Sequence, residues 1–201
     1  MCGRYYVDDE TAKEIEKLVR QIDVKKRQES LQAAGRIAAG DIFPGKEAPV
    51  LAGRDGSVCC GWQHWGFPGF DGKKLIFNAR CESALEKPLF RDSIRHRRIV
   101  IPASRFYEWN LEKEKYTFCR KNMPVLFMAG FCRPYGDEEH FVILTTAANA
   151  SMKPVHDRMP LILEPDEIME WVMDDAKTES ILHQIPCLLE RKTDYEQMSL
   201  F

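Results

Sequence analysis

The segment that decides the fold runs from residue 98 to residue 146 and reads RIVIPASRFYEWNLEKEKYTFCRKNMPVLFMAGFCRPYGDEEHFVILTT. It contains five short runs rich in apolar, β-branched and aromatic residues, at 98–101, 106–109, 116–119, 125–131 and 141–146. Turn formers such as Asn122 and Gly136-Asp137 divide them. Such runs predict short β-strands, and strands that follow one another without alternating helices predict antiparallel sheet.

The segments on either side add strands and helices to this pattern. A strand is predicted at 3–7, and two more apolar runs lie at 49–52 and 58–62. A helix is predicted after the capping pair Asp8-Asp9, with an apolar face formed by Ile15, Leu18, Val19 and Ile22. The following stretch is polar up to residue 39 and is followed by the turn formers Phe43-Pro44-Gly45.

The C-terminal third predicts a second helix, which opens at Glu164-Pro165-Asp166. Its buried face would consist of Ile168, Met169, Trp171 and Val172, and a short helix is predicted near 179–183. Together these patterns predict an α+β domain built on antiparallel sheet that is closed or nearly closed.

The composition is that of one globular domain, which we place at residues 1–190, followed by a tail at 191–201. Of 201 residues, 44% are hydrophobic and 30% charged. The chain lacks the run of about 20 apolar residues that spans a membrane, and its first residues do not form a signal peptide, so we expect a cytoplasmic protein. With a formal net charge of −2, any binding to nucleic acid would depend on a local basic surface.

The seven cysteines are scattered, and no pair has the spacing of a zinc knuckle or a redox pair. The five histidines do not cluster with them. We therefore expect no structural disulfide, no metal and no cofactor, and interpret most of these thiols as small core residues.

Cys2 is the most informative residue. Removal of Met1 would leave cysteine at the N-terminus, with an α-amine and a thiol on adjacent carbons. Because the pKa of an α-amine is about 7.7–8.0, a useful fraction is neutral at cellular pH. The amine could form a Schiff base with an aldehyde, and the thiol could then close a thiazolidine ring. The alternative is that a cysteine at position 2 is an accident of sequence.

Three other segments carry residues suited to this chemistry. Asn78 and Arg80 lie two residues apart and would share one face of a strand. Glu108 lies between aromatic residues, where burial would favour general acid–base work, and His156 lies in a loop bounded by prolines. Each has a structural alternative: a turn residue, a charge at a strand edge and a loop cap.

Taken together, these segments resemble the SOS-response-associated peptidase (SRAP) family. The matching motifs share their order along the chain and are Met1-Cys2-Gly3-Arg4-Tyr5, Trp65-Gly66, Asn78-Ala79-Arg80-Cys81-Glu82, Ile101-Pro102-Ala103-Ser104 with Phe106-Tyr107-Glu108-Trp109, Leu144-Thr145-Thr146-Ala147-Ala148-Asn149 and His156-Asp157-Arg158-Met159-Pro160. The resemblance extends from residue 2 to about residue 172. It implies a single α+β domain with a barrel-like, mainly antiparallel β core, flanking helices and a positively charged groove for single-stranded DNA.

The resemblance also implies the chemistry. In the family, an N-terminal cysteine crosslinks to the sugar aldehyde of an abasic site, which assigns Cys2 as the nucleophile. Asn78 would orient the amine and the sugar. Glu108 would be the acid–base group for Schiff-base formation and for autoproteolytic removal of Met1. His156 would assist opening of the sugar ring, and Schiff-base lyase activity would accompany the crosslink.

DNA contacts are implied in the same way. Arg4 and Arg80 would hold phosphates beside the lesion, and Arg158 is also assigned to DNA. Trp65 and Phe67 would pack beside the strand, because aromatic rings stack on bases; burial in the core is the alternative. The expected partner is single-stranded DNA with an abasic site, bound by a monomer.

The sequence departs from the family pattern in three places. Asp41 stands where the family's early turn usually carries an amide, and its carboxylate would repel a phosphate. Arg105 stands where a glycine is frequent, and it would either contact a phosphate or cover the sheet. The chain also lacks the usual ending rich in valine and asparagine.

The tail ends in Gln197-Met198-Ser199-Leu200-Phe201, which resembles the short peptides that bind the DNA polymerase sliding clamp. Leu200 and Phe201 offer two apolar anchors to a groove, and Gln197 offers hydrogen bonds. The alternative is that these residues fold back on their own core.

Two other functions remain open from the sequence. An N-terminal-nucleophile hydrolase, such as a glutamine amidotransferase domain, also begins with Cys-Gly, although the glutamine-binding motifs of that class are not found. A non-catalytic module that binds DNA or the clamp is the other alternative.

Overall fold

A computed structural model describes residues 2–19, 24–69 and 74–193 of the chain. The strands of these residues form a barrel, a second sheet and a two-stranded ribbon of β5 (Phe67–Pro68) and β6 (Leu75–Ile76). Within the described ranges, no helix has the length and apolar character needed to cross a membrane.

Five strands pair around a closed ring. In ring order they are β3 (Glu47–Arg54), β8 (Arg98–Ala103), β11 (Leu126–Tyr135), β12 (Glu138–Ala147) and β4 (Ser57–Trp65), which pairs back with β3. All neighbours are antiparallel except β4 and β12, which run parallel. The predicted α+β class with a barrel-like, mainly antiparallel core is therefore confirmed.

The barrel is closely packed where β11 pairs with β8 and β12. Gly130 lies on β11, and a Cβ atom added to it would lie 2.5 Å from the carbonyl oxygen of Val142 and 2.6 Å from Cδ1 of Ile101. Ile101 and Val142 are themselves fully buried. The two neighbouring strands therefore require a residue without a side chain at this position.

Three short strands extend the barrel beside β11 and β12. β7 (Asn78–Arg80) pairs in parallel with β12, β13 (Arg158–Pro160) pairs with it antiparallel, and β14 (Ile162–Leu163) pairs with β11. The register places both Arg80 and Pro160 opposite Thr145. The two motifs that contain Asn78 and Arg158 are thus joined through one strand.

The N-terminus enters the second sheet between two other strands. The strands of this sheet, in spatial order, are β15 (Glu190–Thr193), β10 (Lys115–Cys119), β9 (Arg105–Trp109), β1 (Tyr5–Val7) and β2 (Gly40–Ile42). Tyr5 lies opposite Phe106 on one side and Ile42 on the other. This pairing brings the residues just before β1 next to β9.

Six α-helices flank the sheets in the described residues. They are α1 (Asp9–Val19), α2 (Val24–Ala34), α3 (Cys81–Ala84), α4 (Pro88–His96), α5 (Glu167–Met173) and α6 (Thr178–Leu182), with a 3₁₀ turn at Asp175–Lys177. The Asp8 carboxylate accepts a hydrogen bond from the Thr11 N–H at 3.1 Å and caps α1, as predicted. Ile15 of the predicted apolar face is fully buried, whereas Ile22 lies outside the described residues.

Several helices differ from the sequence prediction. α2 occupies the polar stretch, where the sequence does not predict a helix. The sequence pattern misses it because the helix packs mainly through small residues such as Ser30 and Ala34. α5 begins at Glu167, after Pro165, and buries Ile168, Trp171 and Val172. Met169 is about half exposed, so its predicted burial is wrong.

Candidate functional site

Cys2 lies directly before β1 and is buried, with 1% of its surface exposed. Its thiol donates a weak hydrogen bond to the carbonyl oxygen of Arg4 at 3.8 Å. Burial and, after it, the nearby carboxylate of Glu108 raise the pKa of this thiol to about 12. At neutral pH Cys2 is therefore a neutral thiol within the electrostatic reach of Glu108.

Asn78 holds the backbone of Cys2. It lies at the start of β7, and its Nδ2 donates a hydrogen bond of 2.8 Å to the carbonyl oxygen of Cys2. Its Oδ1 is buried and accepts no hydrogen bond from the residues that the structure describes. Asn78 therefore fixes the backbone of Cys2 and keeps one acceptor available beside it.

Glu108 belongs to β9 and is 7% exposed. The N–H of Trp109 lies 3.4 Å from its Oε1. Because β9 pairs with β1, the sheet itself brings this carboxylate close to the N-terminus. Of the two alternatives that the sequence leaves open, an exposed edge charge and a buried carboxylate, the structure shows the second.

His156 lies in the loop between β12 and β13. Its Nδ1 accepts a hydrogen bond of 2.9 Å from the N–H of Arg158. The same Nδ1 lies 2.9 Å from Oδ1 of Asp157, so two contacts hold this edge of the ring. The loop is held by Asn149, whose side chain bonds the carbonyl oxygens of Pro186 and Cys187.

Glu108 and His156 line the same cleft, whose volume is about 860 Å³. Residues 108–111 form one part of its lining and residues from the loop after β12 form the other. The other lining residues are Trp109, Asn110, Leu111, Ala147, Ala148, Lys153, Val155 and Asp157. Sequence reasoning missed Lys153 and Leu111, because nothing in the spacing of either residue shows that the chain returns to this cleft.

Arg4 lies beside Cys2 among aromatic rings. Its guanidinium lies 4.7 Å from the ring centre of Phe43 and 5.1 Å from that of Trp109, and it pairs with Asp41 at 3.7 Å. Asp41, the departure from the family pattern, is therefore the ion-pair partner of Arg4. Arg105 stacks on Tyr6 at 3.7 Å and so covers the sheet.

The other arginines have different environments. Arg80 is exposed on β7. Arg158 is largely covered and forms a two-point ion pair with Glu82, at 2.6 and 2.8 Å. Arg98, in the arginine-rich stretch, is buried and bonds the carbonyl oxygen of Trp171 and the carboxylate of Asp175, so it holds α5 against the barrel.

Trp65 and Phe67 are core residues, and the prediction that they pack beside DNA is wrong. Both are completely buried. Trp65 lies 5.0 Å from the ring of Tyr5 and donates through its Nε1 to the carbonyl oxygen of Phe77 at 2.9 Å. A ring enclosed on all sides has no face to offer to a base.

Two predicted features lie outside the described residues. They are Met1 and the clamp-binding residues Gln197, Leu200 and Phe201.

These features describe a class of α+β barrel proteins in which a buried cysteine at position 2 adjoins Asn78 and Glu108, and Glu108 lines a cleft with His156. The family model described as SOS response associated peptidase (SRAP) matches residues 1–199. The chain belongs to this family.

Individual relatives agree with this assignment. The chain is 28% identical over 183 residues to the abasic site processing protein YedK of Escherichia coli, a match that covers 87% of this chain and 81% of the relative. It is 37% identical over 110 residues to the abasic site processing protein YoaM of Bacillus subtilis, covering 50% and 48%.

Solved structures show the same fold. A crystal structure of a protein from Bacteroides thetaiotaomicron matches with a TM-score of 0.76 and 23% identity, covering 96% of this chain and 91% of that one. A phage-related protein from Bordetella bronchiseptica gives 0.76 and 23%, covering 96% and 93%.

Proposed function

We propose that this protein processes abasic sites in single-stranded DNA, and that Cys2, once Met1 is removed, becomes covalently attached to the sugar aldehyde. The observation that carries the proposal is the contact between Asn78 and the Cys2 carbonyl, with the buried carboxylate of Glu108 acting on the same residue. Family membership and the printed names of the relatives, abasic site processing proteins, support the choice of substrate.

The reaction begins at nitrogen. Because burial and Glu108 keep the Cys2 thiol protonated, the freed α-amine is the better first nucleophile. Its lone pair attacks the C1′ aldehyde of the ring-opened sugar, and the carbinolamine loses water to give a Schiff base. The sulfur then adds to the C=N carbon while the thiol proton passes to nitrogen, which closes the thiazolidine. One water leaves in the whole sequence, and no oxidant or reductant is required.

Glu108 would move the protons in both steps. It would take a proton from nitrogen after the amine has attacked and pass it to the departing water, and then take the thiol proton and deliver it to nitrogen. The same carboxylate would serve as the base in the removal of Met1, which is the peptidase part of the proposal. Lyase activity would follow if the Schiff base lost the 3′ phosphate by elimination before the thiol closed the ring.

Asn78 and His156 would prepare the two reactants. The unpartnered Oδ1 of Asn78 is available to accept a hydrogen bond from the new α-amine and to aim its lone pair. His156 would protonate the ring oxygen as the sugar opens. It faces the cleft shared with Glu108, which is where the sugar would enter.

Binding to DNA would depend on a few arginines. Arg80 is exposed and lies two residues from Asn78, so it is placed to hold a phosphate beside the lesion. Arg4 would do so after giving up its contact with Asp41, and Arg158 after loosening its pair with Glu82. We therefore rank Arg80 first among the phosphate contacts.

Adduct formation tests the central claim. The protein would be mixed with a single-stranded oligonucleotide carrying one abasic site, then analysed by denaturing gel and intact mass spectrometry. We expect an adduct one water lighter than the sum of its components. Cys2→Ala should abolish it, and Cys119→Ala, which changes a half-buried thiol elsewhere, should not. An unchanged yield with Cys2→Ala would refute the mechanism.

We further propose that the tail at 197–201 binds the polymerase sliding clamp, with Leu200 and Phe201 as apolar anchors. A chain truncated after residue 196 should form the adduct at the normal rate and lose binding to purified clamp. Equal clamp binding by both chains would rule out this role for the tail.

A further inference from the structure

Two histidines and a glutamate lie together on the outside of the barrel, and none of them lines the cleft of Glu108 and His156. His64 is on β4, and Glu138 and His140 are on β12. The parallel pairing of these strands sets His64 opposite His140, and Glu138 lies two residues before His140 on the same face. The next residues, Trp65 and Phe141, point into the core and are fully buried, so the three polar side chains point outward.

The ligand atoms are nearly at the spacing of a metal site. Oε2 of Glu138 lies 3.4 Å from Nε2 of His140 and 3.9 Å from Nδ1 of His64. All three atoms lie within 4.8 Å of one another. Two ligand atoms on a tetrahedral Zn²⁺, with bonds of about 2.0–2.1 Å, lie about 3.3–3.4 Å apart. A small inward movement of His64 would complete this geometry.

The tautomer of His140 favours metal binding. Its Nδ1 lies 2.8 Å from the carbonyl oxygen of Gly66, which can only accept, so Nδ1 carries the proton. The neutral ring therefore presents the lone pair of Nε2 to the cluster. This is the arrangement in which a metal-binding histidine is usually fixed, with its other nitrogen bonded to a backbone carbonyl.

The three side chains differ in how much of their surface is exposed to solvent. The side chain of His140 is 12% exposed, that of His64 29% and that of Glu138 61%. Stacking of the two imidazole rings, at 5.2 Å between centres, orients the histidines. Two histidines are thus held by the barrel wall, while the exposed carboxylate leaves an open side through which an ion and its water can enter.

We propose that His64, Glu138 and His140 form a binding site for a divalent transition metal ion, of which Zn²⁺ is the best match. Two imidazole nitrogens and one carboxylate oxygen suit Zn²⁺ and its neighbours, whereas Mg²⁺ and Ca²⁺ prefer oxygen ligands throughout. The bound ion would join β4 to β12, the parallel pair that closes the barrel. The proposal departs from the sequence-based expectation that the chain binds no metal, which considered only histidines clustered with cysteines.

The test is metal titration of the full chain without DNA, so its result is independent of the abasic-site proposal. We expect calorimetry to give one Zn²⁺ per chain and no binding of Mg²⁺. Glu138→Gln and His64→Asn should each weaken binding by at least about tenfold. Glu139→Gln, which changes an exposed carboxylate on the other face of the same strand, should leave it unchanged.

Two further measurements test whether a cysteine thiol binds the metal instead, and whether the variant remains folded. Co²⁺ should give visible d–d bands without the near-ultraviolet charge transfer of a thiolate ligand. Zn²⁺ at about 100 times its Kd should raise Tm by roughly 5–10 °C in the parent chain, and the shift should be lost in Glu138→Gln, whose metal-free Tm should match the parent. Absence of stoichiometric Zn²⁺ binding, a thiolate band, or binding that survives His64→Asn and Glu138→Gln together would each overturn the proposal.

Discussion

Glu108 has an environment that is unusual for a glutamate on a strand. It is almost fully buried, it lines the cleft with His156, and its charge acts on the Cys2 thiol. A carboxylate that moves protons in two successive steps should affect the rate of the reaction rather than its end point.

We predict that Glu108→Gln slows adduct formation by about 10²- to 10⁴-fold, the usual contribution of a positioned acid–base group. The amide keeps the shape of the side chain but cannot accept the thiol proton. Single-turnover rates on abasic single-stranded DNA measure the effect. Glu112→Gln, an exposed residue of the same hairpin, is the control. A Glu108→Gln rate within threefold of the parent rate would remove Glu108 from the mechanism.

Arg80 carries the second prediction at this scale. Arg80→Ala should weaken binding to single-stranded DNA and lower the slope of log K against log salt by about 0.7, the value for one lost phosphate contact. Fluorescence anisotropy at several salt concentrations gives the slope. Arg91→Ala, which removes an exposed arginine from α4, should leave it unchanged. If the two variants have the same slope, Arg80 does not contact phosphate.

Strand pairing determines which residues of the site meet. Cys2 reaches Glu108 because β1 inserts beside β9, and Asn78 reaches Cys2 because β7 is fixed along β12. Each catalytic candidate thus lies on or next to a strand with backbone partners on a neighbouring element. A site supported in this way needs little reorganisation when a substrate arrives.

The close packing of β11 against β8 and β12 gives a prediction at the scale of a single strand. Gly130→Ala should lower the free energy of unfolding by about 1–3 kcal/mol, because the new methyl group would overlap the Val142 carbonyl and the Ile101 side chain. Gly61→Ala on β4 is the matched control, since an added Cβ there meets no atom within 4 Å. Urea denaturation measures both, and equal midpoints would show that the barrel wall adjusts freely.

The pKa values of the buried cysteine thiols differ between the folded protein and the unfolded chain. Burial raises the pKa of Cys60, Cys81 and Cys132 to about 12, as it does for Cys2. The folded protein therefore keeps these protons at a pH where the unfolded chain loses them. The contribution of these protonated thiols to the free energy of unfolding is fully present below the unfolded pKa, near 9, and is lost as pH rises towards 12.

We predict that the urea midpoint falls between pH 8 and pH 10.5, with each such thiol contributing at most about 1.4 kcal/mol per pH unit to the slope. Cys60→Ala should make the fall shallower than in the parent, because it removes one of these groups. Cys119→Ala, at a half-buried position, should change it less. A Cys60→Ala profile parallel to the parent profile would contradict this account.

The local sequence pattern was sufficient to predict the class of fold and to identify the candidate site residues. The runs within residues 98–146 predict β8 to β12 because short apolar runs between turn formers suit half-buried or buried strands. Cys2, Asn78, Glu108 and His156 were identified because each is part of a short motif whose order along the chain resembles one family. Neither inference requires knowledge of which strands become neighbours.

Tertiary structure decided everything that depends on distant neighbours. It placed Trp65 and Phe67 in the core, tied Arg158 to Glu82 and turned Arg98 into a support for α5. It also set His64 against His140, residues 76 positions apart that meet because the barrel closes between β4 and β12. Local composition was enough to predict the barrel strands, the helices α1 and α5 and the reactive groups, although it did not reveal α2. Closure of the barrel determined which side chains are buried, which charges pair, and that His64, Glu138 and His140 meet. The physical reason is that a side chain's surroundings are set by the strand beside it.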